Sequence, residues 1–272
     1  MALLEATGMT VRRGGRLTLD GAALSCGAGE IVGVIGPNGA GKTTLLDALG
    51  GLVPCSGAVV LDDLRLDRLT PDGRARRGLG RTFQEPRLVA GATVRDALLA
   101  GCHARMHTGL VRDLLRLPGG AREETRAAAE TLRTATLLGI TDLLDRPAGS
   151  LSLGAARLVE LGRALCAAPR VLLLDEPFSG TDTAEAAAIT ATLRRLRDDG
   201  MAIVLVEHDV EVILGLCDFV HVLDGGRPIA RGRPTTVHRD PVVVAAWLGP
   251  EADHGVSAGP PAHGHPDVAV GR

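Results

Sequence analysis

The feature that most constrains this chain is the run "EIVGVIGPNGAGKTTLLDALGG", in which an apolar strand, a glycine-rich turn and a helix follow one another without a break. Residues 36–44 fit the pattern G-x-x-x-x-G-K-[ST], and a strand before it with a helix after it is the context that gives the pattern a mechanism. Gly36, Gly39 and Gly41 let main-chain N–H groups curl around phosphate oxygens, and the helix start adds the positive end of its dipole. Pro37, Asn38, Ala40 and Thr44 complete the cradle. Lys42 can reach the β- and γ-phosphates of a nucleotide, and the Thr43 hydroxyl can ligate Mg²⁺. Lys42 is also the only lysine among 30 basic residues. A compact ammonium on a thin stem fits inside such a loop where a planar guanidinium does not, so this position resists the bias to arginine seen elsewhere.

Downstream, "VLLLDEP" ends an apolar strand on Asp175 and Glu176. Asp175 is placed to hold Mg²⁺ through its water shell, and Glu176 to orient or deprotonate an attacking water. "VLVEHD" sets His208 just past another strand end, on the ligand edge of a parallel sheet, where a neutral imidazole could contact a γ-phosphate. Gln84 in "RTFQEP" follows a further strand and carries a weaker signal. "AGSLSLGAARLVELGRAL" reads as a helix start with Ser152 and Gly154 at its mouth and no base or metal ligand beside them. Locally that is an ordinary serine cap. Beside a loop that already holds one face of a nucleotide, it is a second phosphate-binding device that could serve a partner chain.

Size and composition suit one large globular domain, or a domain with a subdomain, since 45% of the 272 residues are apolar. A net charge of −2 offers no electrostatic case for nucleic acid. No apolar run approaches a membrane span, and the N-terminal apolar stretch is too short for a secretory signal. Five scattered cysteines, Cys26, Cys55, Cys102, Cys166 and Cys217, read as reduced thiols in a cytosolic protein. Strands are expected at "LLEATGMTV", "LTLDGAAL", "EIVGVIG", "GAVVLDDLRL" (a pair), "LGRTFQ", "VLLLDEP", "AIVLVEHD" and "FVHVLDGG". Helices are expected at "GKTTLLDALGG", "TPDGRARRG", "TVRDALLAG", "LVRDLLRL", "REETRAAAETLRTATLLG" and "TAEAAAITATLRRLRDDG". The implied fold is α/β, with a parallel sheet and a helical subdomain inserted over about residues 93–168. The Gly/Pro-rich tail, residues 250–272, is expected to be disordered; its His254, His263 and His265 read as solvated residues, not metal ligands.

The set and order of these motifs resembles the ATPase subunits of ATP-binding cassette (ABC) transporters over about residues 3–249. The resemblance implies a P-loop NTPase fold with a parallel-sheet core, an antiparallel β subdomain and the inserted helical subdomain. It assigns the Walker A loop to residues 36–44, the Q-loop to Gln84 and the signature to residues 151–157. It gives Walker B as residues 171–175, with Glu176 catalytic, the D-loop as residues 179–182 including Asp182, and the switch histidine as His208. Gln84 then joins Thr43 and Asp175 around Mg²⁺, and ATP is the nucleotide. In the family two subunits pack head to tail, each ATP lying between one chain's Walker A and the other's signature helix, so Ser152, Gly154 and Asp182 would face the partner's site.

The finer resemblance, carried by "GRTFQEPRLVAGATVRDALLAG", "EHDVEVILGLCDFVHVLDGGRPIARG", the insert "HARMHTGLVRDLLRLPGGAREETRAAAETLRTATLLGI" and the closing "RDPVVVAAWLG", is to the branched-chain amino acid importers; importers of other small polar solutes share it. It implies a second ATPase subunit, two membrane permease subunits, indirectly a solute-binding protein, and a peripheral place on the cytoplasmic face of the plasma membrane. Three positions depart from the family pattern. Ala155 replaces the usual glutamine in "LSLGAAR". Arg13 stands where an aromatic usually stacks on adenine, and a guanidinium can take that role. Asp182 ends the D-loop. Two alternatives remain open at this stage: a soluble cassette ATPase outside transport, and a weakly hydrolysing regulatory subunit.

Overall fold

The computed structural model describes residues 2–103 and 120–248. The expected helix at "LVRDLLRL" and the tail lie outside the described residues. In chain order the elements are β1 (Ala2–Arg13), β2 (Arg16–Gly27), β3 (Ile31–Ile35), α1 (Lys42–Gly50), β4 (Ser56–Leu61), β5 (Leu64–Arg65), α2 (Pro71–Arg76) and β6 (Leu79–Arg81). Next come α3 (Val94–Cys102), α4 (Gly120–Leu138), α5 (Leu153–Cys166), β7 (Val171–Asp175), α6 (Thr183–Asp198) and β8 (Ala202–Val206). The last are α7 (Val210–Leu216), β9 (Phe219–Asp224), β10 (Arg227–Gly232), α8 (Pro234–Val237) and α9 (Pro241–Leu248).

The strands form two sheets. One runs β2-β1-β4-β5 and is antiparallel throughout, opened by a hairpin in which Arg13 pairs with Arg16 across Gly14 and Gly15, both at positive φ. The other runs β10-β9-β3-β8-β7-β6; its neighbours are parallel except at the β9–β10 edge. The central strands β3, β7 and β8 are buried at every position, as near-continuous apolar runs require when both faces are covered.

The period-2 alternation of those strands divides the interior into two cores. Ile31, Ile35, Leu172, Leu174, Ile203 and Leu205 pack on one face against α3 to α7. Val32, Val34, Val171, Leu173, Val204 and Val206 pack on the other against α1 and the antiparallel sheet. Helix α1 is thus clasped between two sheets, which fixes its N-terminus at the C-terminal end of β3. Its C-terminus is held too: the buried Arg74 donates to the Ala48 and Leu49 carbonyls at 2.8 and 2.6 Å, placing a cation at the negative end of the helix dipole. Among the described residues no helix is long and apolar enough to cross a membrane.

Strand expectations overshoot at the ligand edge of the sheet. "LGRTFQ" is a strand only to Arg81, "VLLLDEP" stops at Asp175 and "AIVLVEHD" stops at Val206. Pairing ends together along this edge, so Gln84, Glu176 and His208 leave it on loops. "TPDGRARRG" forms α2 with the Thr70 cap and Pro71 at its first position. The helix expected to start with Ser152 and Gly154 at its mouth runs Leu153–Cys166 with Ser152 as its cap, and a separate tight turn at Ala148–Ser150 precedes it.

Candidate active site

The glycine-rich loop is built by backbone shapes that side chains obstruct. Gly36 has φ 149°, and a Cβ there would sit 2.0 Å from the Leu223 carbonyl oxygen; at Gly41, φ 98°, it would sit 2.7 Å from that of Thr18. The Ala40 amide closes the turn onto the Pro37 carbonyl at 3.1 Å. No side chain caps α1 at Gly41, so the amides of its first turn keep their donor capacity for an anion. Lys42, 8% exposed, lies along the loop and donates from Nζ to the carbonyls of Gly36 at 2.7 Å and Pro37 at 3.1 Å. Burial pulls its pKa below the usual lysine value, and the charges of Glu176 and Asp175 oppose that shift.

The end of β7 meets the start of α1. The Thr43 hydroxyl donates to Asp175 Oδ1 at 3.3 Å. Burial pushes the Asp175 carboxyl above the usual range, a shift opposed by Arg81, whose Nη2 lies 3.7 Å from Oδ2. A hydroxyl and a carboxylate converging beside a phosphate cradle are hard oxygen donors of the kind Mg²⁺ takes, with few protein ligands and the rest of its shell from water and phosphate. Gln84 Nε2 donates to Glu176 Oε2 at 3.0 Å, so the two loops that follow β6 and β7 meet through their polar tips.

The remaining candidates fall into three places. His208 is 60% exposed on its side chain, past the end of β8. Arg13 forms an ion pair with Asp47 of α1 at 2.8 Å, and Asp47 also takes Arg81 at 2.7 Å. Ser152 and Gly154 open α5, while Asp182 caps α6 by accepting from the Glu185 amide at 2.8 Å.

Three groups escaped sequence reasoning. Glu185 completes the α6 capping box, taking the Asp182 amide at 3.0 Å, and its other carboxylate oxygen accepts from the Ser152 hydroxyl at 3.1 Å. It lies over Gly154 so closely that a Cβ there would overlap the carboxylate in this arrangement, and the flexible Glu185 side chain would have to move aside. The D-x-x-E spacing in "DTAE" was the available signal for the box. Arg157, inside the signature, donates to the Glu176 carbonyl at 2.8 Å. Glu207, 1% exposed, accepts the Phe178 amide at 3.0 Å and the His208 amide at 3.3 Å. Burial holds the Glu207 carboxyl above the usual range. No local pattern marks Arg157 or Glu207, because their partners lie far away in sequence. Glu176 itself has φ 49°, a left-handed conformation that costs a non-glycine residue about 1–3 kcal/mol.

A strand-loop-helix phosphate cradle on a parallel sheet, with Thr43 and Asp175 at its rim, defines a P-loop nucleoside triphosphatase. Residues 19–179 match the model of the ABC transporter family, and the chain belongs to that family. It is 34% identical over 249 residues to BraF, the high-affinity branched-chain amino acid transport ATP-binding protein of Pseudomonas aeruginosa, covering 91% of this chain and 98% of BraF. It is 35% identical over 250 residues to LptB, the lipopolysaccharide export system ATP-binding protein of Escherichia coli K12, covering 92% of this chain and 98% of LptB. The crystal structure of the ADP conformation of MJ1267, an ATP-binding cassette of an ABC transporter, superposes with a TM-score of 0.79 at 30% identity, covering 92% of this chain and 99% of that one. The chain is accordingly an ATP-binding ABC ATPase with the cassette fold.

Proposed function

We propose that this chain powers an importer of branched-chain amino acids or a similar small polar solute, as a peripheral subunit on the cytoplasmic face of the plasma membrane. The observation that carries the reading is the similarity to BraF along nearly the full length of both chains. In this reading the chain pairs with a second ABC ATPase subunit, binds two membrane permeases and answers indirectly to a solute-binding protein. Lys42 and the amides of the loop grip the β- and γ-phosphates of ATP. Mg²⁺, when held by Thr43 and Asp175 with Gln84 at its edge, neutralises phosphate charge. Glu176 orients the attacking water, His208 contacts the γ-phosphate, and Arg13 stacks on the base. Ser152, Gly154 and Asp182 face the nucleotide of the partner subunit. Domain boundaries at 3–249, with the helical subdomain at about 93–168, go with this assignment.

The similarity to LptB favours a second reading, an export ATPase. The two separate in a vesicle assay: the chain is reconstituted with permeases of a branched-chain amino acid importer or of a lipopolysaccharide exporter, and ATPase is measured with leucine, isoleucine or valine and a solute-binding protein, or with lipopolysaccharide. Stimulation by an amino acid supports import. Stimulation by lipopolysaccharide alone replaces it with export.

A further inference from the structure

We propose that Arg157 and Glu207 are positioning residues that hold the left-handed turn at Glu176 and so aim its carboxylate during hydrolysis; this rests on the role given to Glu176 above. A glutamate at φ 49° persists only where its surroundings over-determine it. Here they do. The Glu176 amide donates to the Val206 carbonyl at 3.0 Å, fixing the near side of the turn to β8. The Glu176 carbonyl receives Arg157 Nη1 at 2.8 Å and the Ser179 amide at 3.2 Å. Two residues on, the Phe178 amide is taken by Glu207 Oε1 at 3.0 Å.

Both side chains are costly to bury for packing alone. Arg157 is buried, and its Nε finds no hydrogen-bond partner among the described residues. Glu207 is buried with both carboxylate oxygens on main-chain amides, one from the Glu176 segment and one from His208. Burying a charge costs several kcal/mol unless hydrogen bonds offset it, and here those bonds run to the main chain of the Glu176 and His208 loops. Glu207 thereby ties together the loops of Glu176 and His208. Arg157 ties the Glu176 loop to α5, the helix that starts at Ser152.

The test is steady-state ATPase and equilibrium ATP binding on the full-length chain with Arg157→Met, Arg157→Lys, Glu207→Ala and Glu207→Gln, and with Arg157→Met also combined with Glu176→Gln. A misplaced catalytic group costs up to about 100-fold. Arg157→Met and Glu207→Ala are expected to lower kcat by about tenfold or more, with KM and ATP affinity within about twofold. Arg157→Lys, which keeps a donor, is expected to recover most of the loss, whereas Glu207→Gln, with one acceptor oxygen where the carboxylate has two, is expected to recover only the Phe178 contact and part of the loss. In the Glu176→Gln background Arg157→Met does not lower the residual rate further, because its effect passes through the same carboxylate, whereas Glu207→Ala also releases the His208 amide and is read in the wild-type background alone. Unchanged kcat in both Arg157→Met and Glu207→Ala, a rise in KM alone, or an additional loss from Arg157→Met on top of Glu176→Gln overturns the proposal. If Glu207→Ala does not fold, the Arg157 pair decides. If Glu176→Gln alone keeps wild-type turnover, the role of Glu176 fails first and the clamp with it.

Discussion

The two helices whose starts carry the nucleotide chemistry are finished in opposite ways. Helix α1 opens on Gly41 with no side-chain cap and with an ammonium lying along its loop. Helix α5 opens on Ser152, whose hydroxyl accepts the Ala155 amide while donating to Glu185, and the Glu185 carboxylate covers Gly154. One start is bare and positively charged; the other is capped and already has an anion beside it. A single chain therefore offers one ready phosphate site, at α1. The α5 start gains a phosphate only by exchanging its contact with Glu185. That difference suits a helix whose ligand arrives on another chain.

The largest expected effect comes from breaking the bare start. Lys42→Ala is expected to abolish ATPase, because the β- and γ-phosphates lose their counter-charge. Lys42→Arg is expected to fail as well, since Nζ already contacts the Gly36 and Pro37 carbonyls at 2.7 and 3.1 Å and a guanidinium has no room to replace it. Near-normal turnover in the arginine variant contradicts that account of the lone lysine. Next, Glu176→Gln is expected to bind ATP with Mg²⁺ yet hydrolyse it at least about 100-fold more slowly, as measured by phosphate release in single-turnover conditions.

Ser152→Arg sharpens the comparison in the assembled transporter. With Ala155 in its signature, this chain's α5 would serve the slower of two unequal sites. Total ATPase is expected to fall much less with Ser152→Arg than with Glu176→Gln; equal losses would mean that the two sites are equivalent. The smallest effect belongs to the cap itself. Glu185→Ala removes the capping box of α6 and the Ser152 contact, and is expected to cost about 1 kcal/mol of stability by denaturant titration.

Much of the fold could be read from local pattern. "EIVGVI", "VLLLD" and "AIVLV" are apolar at nearly every position because both faces of their sheet are covered. The glycines of the loop announce a backbone that side chains block, and Thr70 with Pro71 announces α2. Three features were not legible. The antiparallel β10 edge follows from pairing with β9, and "RPIARG" has no alternation to mark it. The exact strand ends at Arg81, Asp175 and Val206 are set by where the backbone ladders stop, which residue type marks poorly: Thr82 and Phe83 suit a strand as well as the residues before them. Arg157 and Glu207 look like ordinary charged residues until the fold sets them against main-chain groups 19 and 29 positions away.

The contrast between the two helix starts requires a single chain to hold its own nucleotide at the start of α1 and not at the start of α5. Equilibrium binding of ATP with Mg²⁺ to the purified full-length chain tests it most directly, comparing wild type, Lys42→Ala and Ser152→Arg. The expected result is an affinity loss of at least about 100-fold, about 2.7 kcal/mol, for Lys42→Ala and a change within about twofold for Ser152→Arg. Normal binding by Lys42→Ala, or an equal loss in Ser152→Arg, would contradict it.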